Sequence, residues 1–232
     1  MSAHRPGRFS IGAERESDLH RSLKFRYSGG EERTEMIIGD FVCDGIGKKG
    51  ELIEVQTGSF GPLKKKIPLL LKSAPVKIVH PIILTMYIET YDKTGALLRR
   101  RKSNRRGSPW DLFKALLYAP ELPLCPGLSI ELALVDSTEK RVADGKGSWR
   151  RKGVSIAGRG LLAWHGSIPL LCLRDYRRFV PFKKGQEFTV QGLGEKAGIN
   201  RDIAGKTLYV LTKLKVVERI GKKGNAWVYR DA

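Results

Sequence analysis

Phe41-Val-Cys-Asp-Gly-Ile-Gly-Lys-Lys-Gly-Glu-Leu-Ile-Glu-Val-Gln56 reads as two strands joined by one turn. Residues 35–44 alternate well enough for a strand. Gly45-Ile-Gly-Lys-Lys-Gly50 carries turn residues, and residues 51–56 supply a second strand, which predicts a hairpin. Side chains alternate along a strand, so Glu54 and Gln56 share one face while Ile53 and Val55 share the other. The hairpin sets Asp44 beside them. Two carboxylates converging at a sheet edge form a hard-oxygen site for Mg²⁺ or Mn²⁺. In phosphodiester hydrolysis such a cation polarises the scissile phosphate and lowers the pKa of a bound water. The plainer alternative is a surface hairpin in which Asp44 opens the turn and Glu54 pairs with a nearby lysine.

Upstream, residues 14–27 predict a helix with Glu16, Leu19, His20, Leu23 and Tyr27 on one face, stopped by Ser28-Gly-Gly30. Downstream, Leu63, Ile67, Leu70 and Leu71 predict a helix packing back onto the sheet, with Pro68 tolerated near its start or bending it. Residues 76–91 form a long β-prone run interrupted by His80-Pro81. Ser108-Pro-Trp-Asp111 is a helix start: a capping hydroxyl, proline at the first helical position, an acid in the first turn. The helix continues over 112–119, and 128–135 is another strand. This order predicts an α/β (α+β) fold with a mixed central sheet flanked by helices.

Asp44, nine intervening residues, then Glu54-Val55-Gln56, after a Glu-bearing helix, resembles the core of the PD-(D/E)XK, restriction-endonuclease-like nuclease superfamily. The resemblance covers about residues 14–90. It implies Asp44 and Glu54 as metal ligands, with Glu16 as the helical acid that joins them. Gln56 stands where the family has lysine, and Cys43 stands where it has proline. Gln56 would take the lysine's place in positioning water and phosphate. Lys64 or Lys66, at the start of the next helix, would restore the missing charge. Glu51-Leu-Ile-Glu-Val-Gln-Thr-Gly-Ser-Phe60 also resembles a bacterial family with the same hairpin, which implies a fold and no particular activity.

The C-terminal part shows a second pattern. Thr189 caps a short helix at 190–197, and Gly198-Ile-Asn200 turns into a helix at 201–214 with Ile203, Leu208, Leu211 and Leu214 on its buried stripe. Strands at 216–220 and 226–230 flank Gly221-Lys-Lys-Gly-Asn225. The order resembles a winged helix-turn-helix domain, whose first helix would fall at 172–179. That resemblance implies DNA in contact with Asn200, Arg201 and Lys206 at the second helix, and with Lys222 and Lys223 at the wing. The expected division is a basic arm at 1–12, a restriction-endonuclease-like domain at 13–170 and a winged helix at 171–232. The hinge is expected at Val180-Pro-Phe-Lys-Lys-Gly185.

Charge supports a polyanionic partner. The 232 residues carry 43 Lys and Arg against 24 Asp and Glu, a formal +19. Residues 171–232 hold 14 of the cations and 6 of the acids, so both parts are basic. A field of this sign attracts nucleic acid. Arg99-Arg-Arg-Lys-Ser-Asn-Arg-Arg106 places six cations in eight residues. Arg99, Arg100, Arg101, Lys102, Arg105 and Arg106 form a candidate phosphate clamp, or else a solvated loop.

Other classes lack their signatures. No apolar run approaches the ~20 residues that cross a bilayer, which predicts no membrane partner, and residues 1–10 do not make a secretory signal. Cys43, Cys125 and Cys172 have neither bridge-framework nor zinc-ligand spacing, and a reduced cytoplasm is the expected home. No Gly-x4-Gly-Lys-Ser/Thr loop suggests NTP hydrolysis. His80 reads as a packed core residue; His20 lies beside Glu16 on the helix face, either supporting the metal ligands or packing the helix. The expectation is a divalent-metal-dependent DNA endonuclease acting on duplex or branched DNA, with homodimerisation suited to cutting both strands. The alternatives are a DNA-binding protein or transcription regulator with a degenerate nuclease fold, and an RNA-binding protein.

Overall fold

Gly47 and Gly50 close the hairpin. Gly47 N–H donates to Glu51 O at 2.8 Å, Gly50 N–H donates to Gly47 O, and Gly50 takes φ +83°, which glycine adopts without a Cβ penalty. On either side lie β2 (Phe41–Ile46) and β3 (Leu52–Val55), with Gly45 opposite Ile53 and Ile46 opposite Leu52. A computed structural model describes residues 17–39 and 41–232. The basic arm expected at 1–12 and the first residues of the expected helix, Glu16 included, lie outside them.

The single strand expected at 35–44 is two. β1 (Thr34–Ile38) pairs antiparallel with β2, Ile38 opposite Phe41. Gly39, at φ +58°, lets the chain reverse where the alternation alone suggests continuity.

α1 (Asp18–Ser28) precedes this meander. Ser17 caps it by accepting from His20 N–H, and left-handed Gly29 ends it with its N–H on Phe25 O. α2 (Leu63–Leu70) follows the hairpin and crosses over to β4 (Val76–Tyr91), which runs parallel to β3. Pro68 lies in the second turn of α2, on its exposed side, and removes the N–H that would reach Lys64 O.

β4 is one strand through His80-Pro81, not two. β3 pairs with residues 76–79 of one edge, and β5 (Leu97–Lys102) pairs with residues 87–91. β6 (Leu128–Val142) covers the other edge along the whole length, in parallel. β3 and β5 therefore share an edge with a gap at residues 80–86, and Pro81, which cannot donate to a ladder, falls in that gap. β7 (Ser155–Leu170) completes the seven-stranded mixed sheet, ordered β1-β2-β3-β4-β6-β7 with β5 beside β4. Ser108-Pro109 leads through a 3₁₀ turn into α3 (Leu112–Leu116).

Both faces of the sheet are covered. Leu19 and Leu23 of α1 pack on Ile53, Val55, Val79, Ala133 and Val135. On the opposite face α2 and α3 bury Leu63, Ile67, Phe113 and Leu116 against Leu52, Ile78, Ile82 and Ile130. Each such buried side chain contributes about 1.5–3 kcal/mol relative to exposure.

The second core runs on into the C-terminal part, where Phe113 meets Phe179 edge-on with ring centres 4.8 Å apart. The segment expected as a first helix at 172–179 is a 3₁₀ helix, Leu173–Phe179. Its start is fixed by Asp175, whose Oδ2 accepts from Leu171 and Cys172 N–H. Arg177 donates to the carbonyls of Val180 and Phe182, tying down the expected hinge. β8 (Phe188–Thr189), α4 (Val190–Ala197), α5 (Arg201–Lys213), β9 (Val217–Lys223) and β10 (Ala226–Asp231) follow, with a three-stranded sheet ordered β8-β10-β9. α5 lies against α3. Among the described residues no helix is long and apolar enough to cross a membrane.

Candidate active site

The two carboxylates of the hairpin lie on neighbouring strands, Asp44 held by α1 and Glu54 by α2, close enough for the Asp44 charge to act on Glu54. Asp44 is on β2. Its Oδ2 accepts from Val55 N–H at 2.7 Å and lies 3.3 Å from His20 Nε2. The same imidazole nitrogen is 2.9 Å from Val55 O, so α1 clasps the hairpin from one face. Burial alone pushes the Asp44 carboxyl up; the His20 hydrogen bond and charge, with the Val55 N–H, outweigh it and hold the group below its ordinary value.

Glu54 is on β3 and points toward α2. It is 6% exposed. Lys66 Nζ donates to its Oε1 at 2.6 Å, and its Oε2 is buried with no hydrogen-bond partner. Burial, then the Asp44 charge, push this carboxyl up to about 7 against the pull of Lys66. Two neighbouring acids are thus driven apart, one firmly ionised and one poised near neutrality.

The helix phase decides between the two candidate lysines. Lys66 sits just before buried Ile67 and reaches Glu54, while Lys64 is exposed and lines a separate groove with Pro68 and Tyr118. Gln56 does not join the acids: its side-chain amide donates to Ser59 O and its own carbonyl accepts from His80 Nδ1 at 2.6 Å. His80 is 6% exposed and stacks edge-on to Phe60, as a core residue does, and burial lowers its pKa. Cys43, in the position before Asp44, is buried with its Sγ 3.0 Å from Ile53 O. Glu16 lies outside the described residues.

A domain of unknown function (DUF8091) matches residues 17–170, from the cap of α1 to the last residue of β7. The chain belongs to the DUF8091 family. The DUF8091 match takes in His20, Asp44, Glu54 and Lys66 and stops before the 3₁₀ helix that leads to α4 and α5. A protein of Treponema pallidum (strain Nichols), described only as an uncharacterized protein, is 31% identical over 153 residues, or 66% of this chain. The chain spans 61% of that relative's length. No solved structure matches it.

The cationic residues fall on three surfaces. Arg99, Arg100, Arg101 and Lys102 lie on β5, exposed at the edge of the DUF8091 sheet, where a loop was the alternative expectation. The Arg100 guanidinium stands 5.0 Å from the Tyr87 ring centre and its Nε 3.4 Å from Glu89. Arg105 and Arg106 follow in a loop pinned by Ser103 N–H to Met86 O and Gly107 N–H to Ile83 O. At the C-terminal part, Asn200 spends its side-chain oxygen capping Ile203 N–H, Arg201 is exposed, and Lys206 pairs with Asp202 at 2.6 Å. Lys222 and Lys223 sit on β9 rather than in a loop. Lys222 Nζ and the Arg219 guanidinium lie 4.5 and 3.9 Å from the Trp227 ring centre.

Two groups beside the sheet went unread in the sequence. Arg141 and Arg159 both grip Glu139, a pairing between strands whose register no local pattern sets. The Val55 N–H clasp on Asp44 depends on how β2 lies against β3 and has no residue signature.

Proposed function

We propose that this chain hydrolyses phosphodiester bonds in DNA, using a divalent cation held by Asp44 and Glu54. The observation that carries the proposal is the pair itself: an ionised Asp44 beside a Glu54 whose Oε2 is buried and lacks a partner. A buried carboxylate oxygen without a hydrogen bond is costly unless something charged completes it. Among the described residues no third His, Cys, Asp or Glu makes a three-ligand cluster. A Mg²⁺ or Mn²⁺ on this pair would therefore take its remaining ligands from water and substrate phosphate. Bound there, the cation would polarise the scissile phosphate. His20 fixes the Asp44 carboxylate in place, and Lys66, already on Glu54 Oε1, would offer its ammonium to a phosphate oxygen or the attacking water. The +19 charge and the exposed cations of β5 and β9 favour a duplex or branched DNA backbone.

One observation favours a second reading, a DNA-binding protein without catalysis. The Gln56 amide turns to the Ser59 carbonyl instead of toward the carboxylates. Incubation with supercoiled plasmid and a panel of branched DNAs, under Mn²⁺, Mg²⁺ or EDTA, separates the two. Nicking that needs metal and disappears in Glu54→Ala supports hydrolysis. Salt-sensitive binding with no cutting under any metal supports the second reading and sinks the first.

A further inference from the structure

The gap in β4 opens a cavity. Where neither β3 nor β5 covers residues 80–86, a cleft of ≈ 430 Å³ forms on the α3 side of the sheet. Its floor is apolar: Pro81, Ile82, Met86 and Ile88. This volume lies within the roughly 300–1,000 Å³ of small-molecule sites. The cleft begins at Thr57-Gly58-Ser59, three to five residues after Glu54, and His80, which holds Gln56, also lines it.

One wall is cationic and already organised. Glu139, 3% exposed, accepts from Nε and Nη2 of Arg141 on Oε1 and from Nε and Nη2 of Arg159 on Oε2, all within 2.7–3.0 Å. One buried carboxylate thus fixes two guanidinium groups. Each keeps its Nη1 without a hydrogen-bond partner among the described residues. Arg105 adds a third guanidinium, and Lys114 is paired with Asp111 at 2.6 Å on the facing wall. Two guanidiniums on one carboxylate leave net positive charge held rigid, which is what a fork-shaped phosphate contact needs.

We infer that this cleft binds a nucleotide: phosphate on Arg141, Arg159 and Arg105, base against Pro81, Ile82 and Met86. The inference rests on the proposed hydrolysis, because it makes the cleft the seat of a nucleotide next to the scissile one, unstacked from its neighbours. The apolar floor distinguishes it from an inorganic phosphate site. The charge distinguishes it from a site for a neutral apolar ligand.

The test uses the full chain and 2-aminopurine 2′-deoxyriboside 5′-monophosphate, followed by fluorescence in EDTA, so that no cleavage is involved. The expected result is saturable binding, weakened by about tenfold or more in Arg159→Ala and in Met86→Trp, which fills the cleft. Circular dichroism and urea unfolding of both variants check that the fold is retained. Inorganic phosphate should compete only weakly, and the deoxyriboside without phosphate should bind weakly. No saturable binding, or equal binding by Met86→Trp, overturns the inference, as does phosphate competing as well as the nucleotide. Plasmid nicking by the same preparations keeps the two proposals apart. Nicking with no nucleotide bound removes the cleft alone; nucleotide bound without nicking removes hydrolysis alone.

Discussion

Lys66 Nζ lies 2.6 Å from Glu54 Oε1, so an ammonium from α2 rests on a carboxylate from β3 whose other oxygen has no partner. The pair joins the crossover helix to the hairpin and leaves Glu54 Oε2 without a hydrogen-bond partner. Lys66→Met removes the neutralising charge while keeping the aliphatic stem. Above pH 7 it should destabilise the chain by about 1–3 kcal/mol, since an ionised buried group loses its partner. Urea unfolding at pH 8 measures this. Stability equal to wild type would mean that the ammonium is solvated rather than engaged.

The titration of Glu54 sets a pH dependence. Its carboxyl ionises at about 7 in the folded chain, against an ordinary 4.5, so the folded state holds the proton more tightly than the unfolded state does. Stability from this group is present at low pH and is lost as pH rises between those two values, levelling off above the upper one. Glu54→Gln lacks the effect. The stability of wild type minus that of Glu54→Gln should therefore fall from pH 5 to pH 8, and parallel curves would contradict the assignment.

A cation filling the site should reverse that loss. Adding Mn²⁺ raises the melting temperature at pH 8, where Glu54 is ionised, and raises it little at pH 5. Asp44→Asn and Glu54→Ala should abolish the rise. A shift that persists in both variants would place the metal elsewhere.

Gly45 fixes the approach of α1 to the hairpin. A Cβ there would meet Ser28 Cβ at 2.8 Å and Arg33 O at 2.9 Å. Gly45→Ala should cost about 1–3 kcal/mol as the helix is pushed off. It should also loosen the His20–Asp44 contact next door. Thermal unfolding checks the first effect, and Mn²⁺ affinity at pH 8 checks the second.

The hairpin was legible because its signals are local. The glycines of 45–50 mark the turn, and the spacing of Asp44 and Glu54 across it places the carboxylates on adjacent strands. What failed was also local in appearance. The reversal at Gly39 is masked, because apolar residues resume at Phe41 in step with the strand before it. His80-Pro81 has the signature of a break, because the sequence does not show that β4 lacks a strand partner on one edge there. Lys66 and Lys64 were indistinguishable until the phase of α2 was set by Ile67 and Leu70. The Glu139 clamp needs the β6–β7 register, which carries shifts at three places. Tertiary pairing of this kind has no period to read.

The β9–β10 hairpin gives a test of DNA contact that is independent of catalysis. Lys222→Ala with Lys223→Ala should weaken binding about equally across DNA sequences and lower the salt slope by roughly two, if each lysine neutralises one phosphate. Fluorescence anisotropy against salt measures both. An unchanged slope would remove the β9–β10 hairpin from the interface.

The most direct test of the carboxylate pair is single-turnover cleavage of end-labelled DNA with Mn²⁺ across pH 5–9, for wild type, Glu54→Ala and Asp44→Asn. The pair predicts a rate that is lost at low pH, where Glu54 holds its proton, and rises as that proton leaves, with no cleavage by either variant and none in EDTA. Cleavage that survives in Glu54→Ala, or a wild type that binds DNA and leaves it intact at every pH, would contradict it.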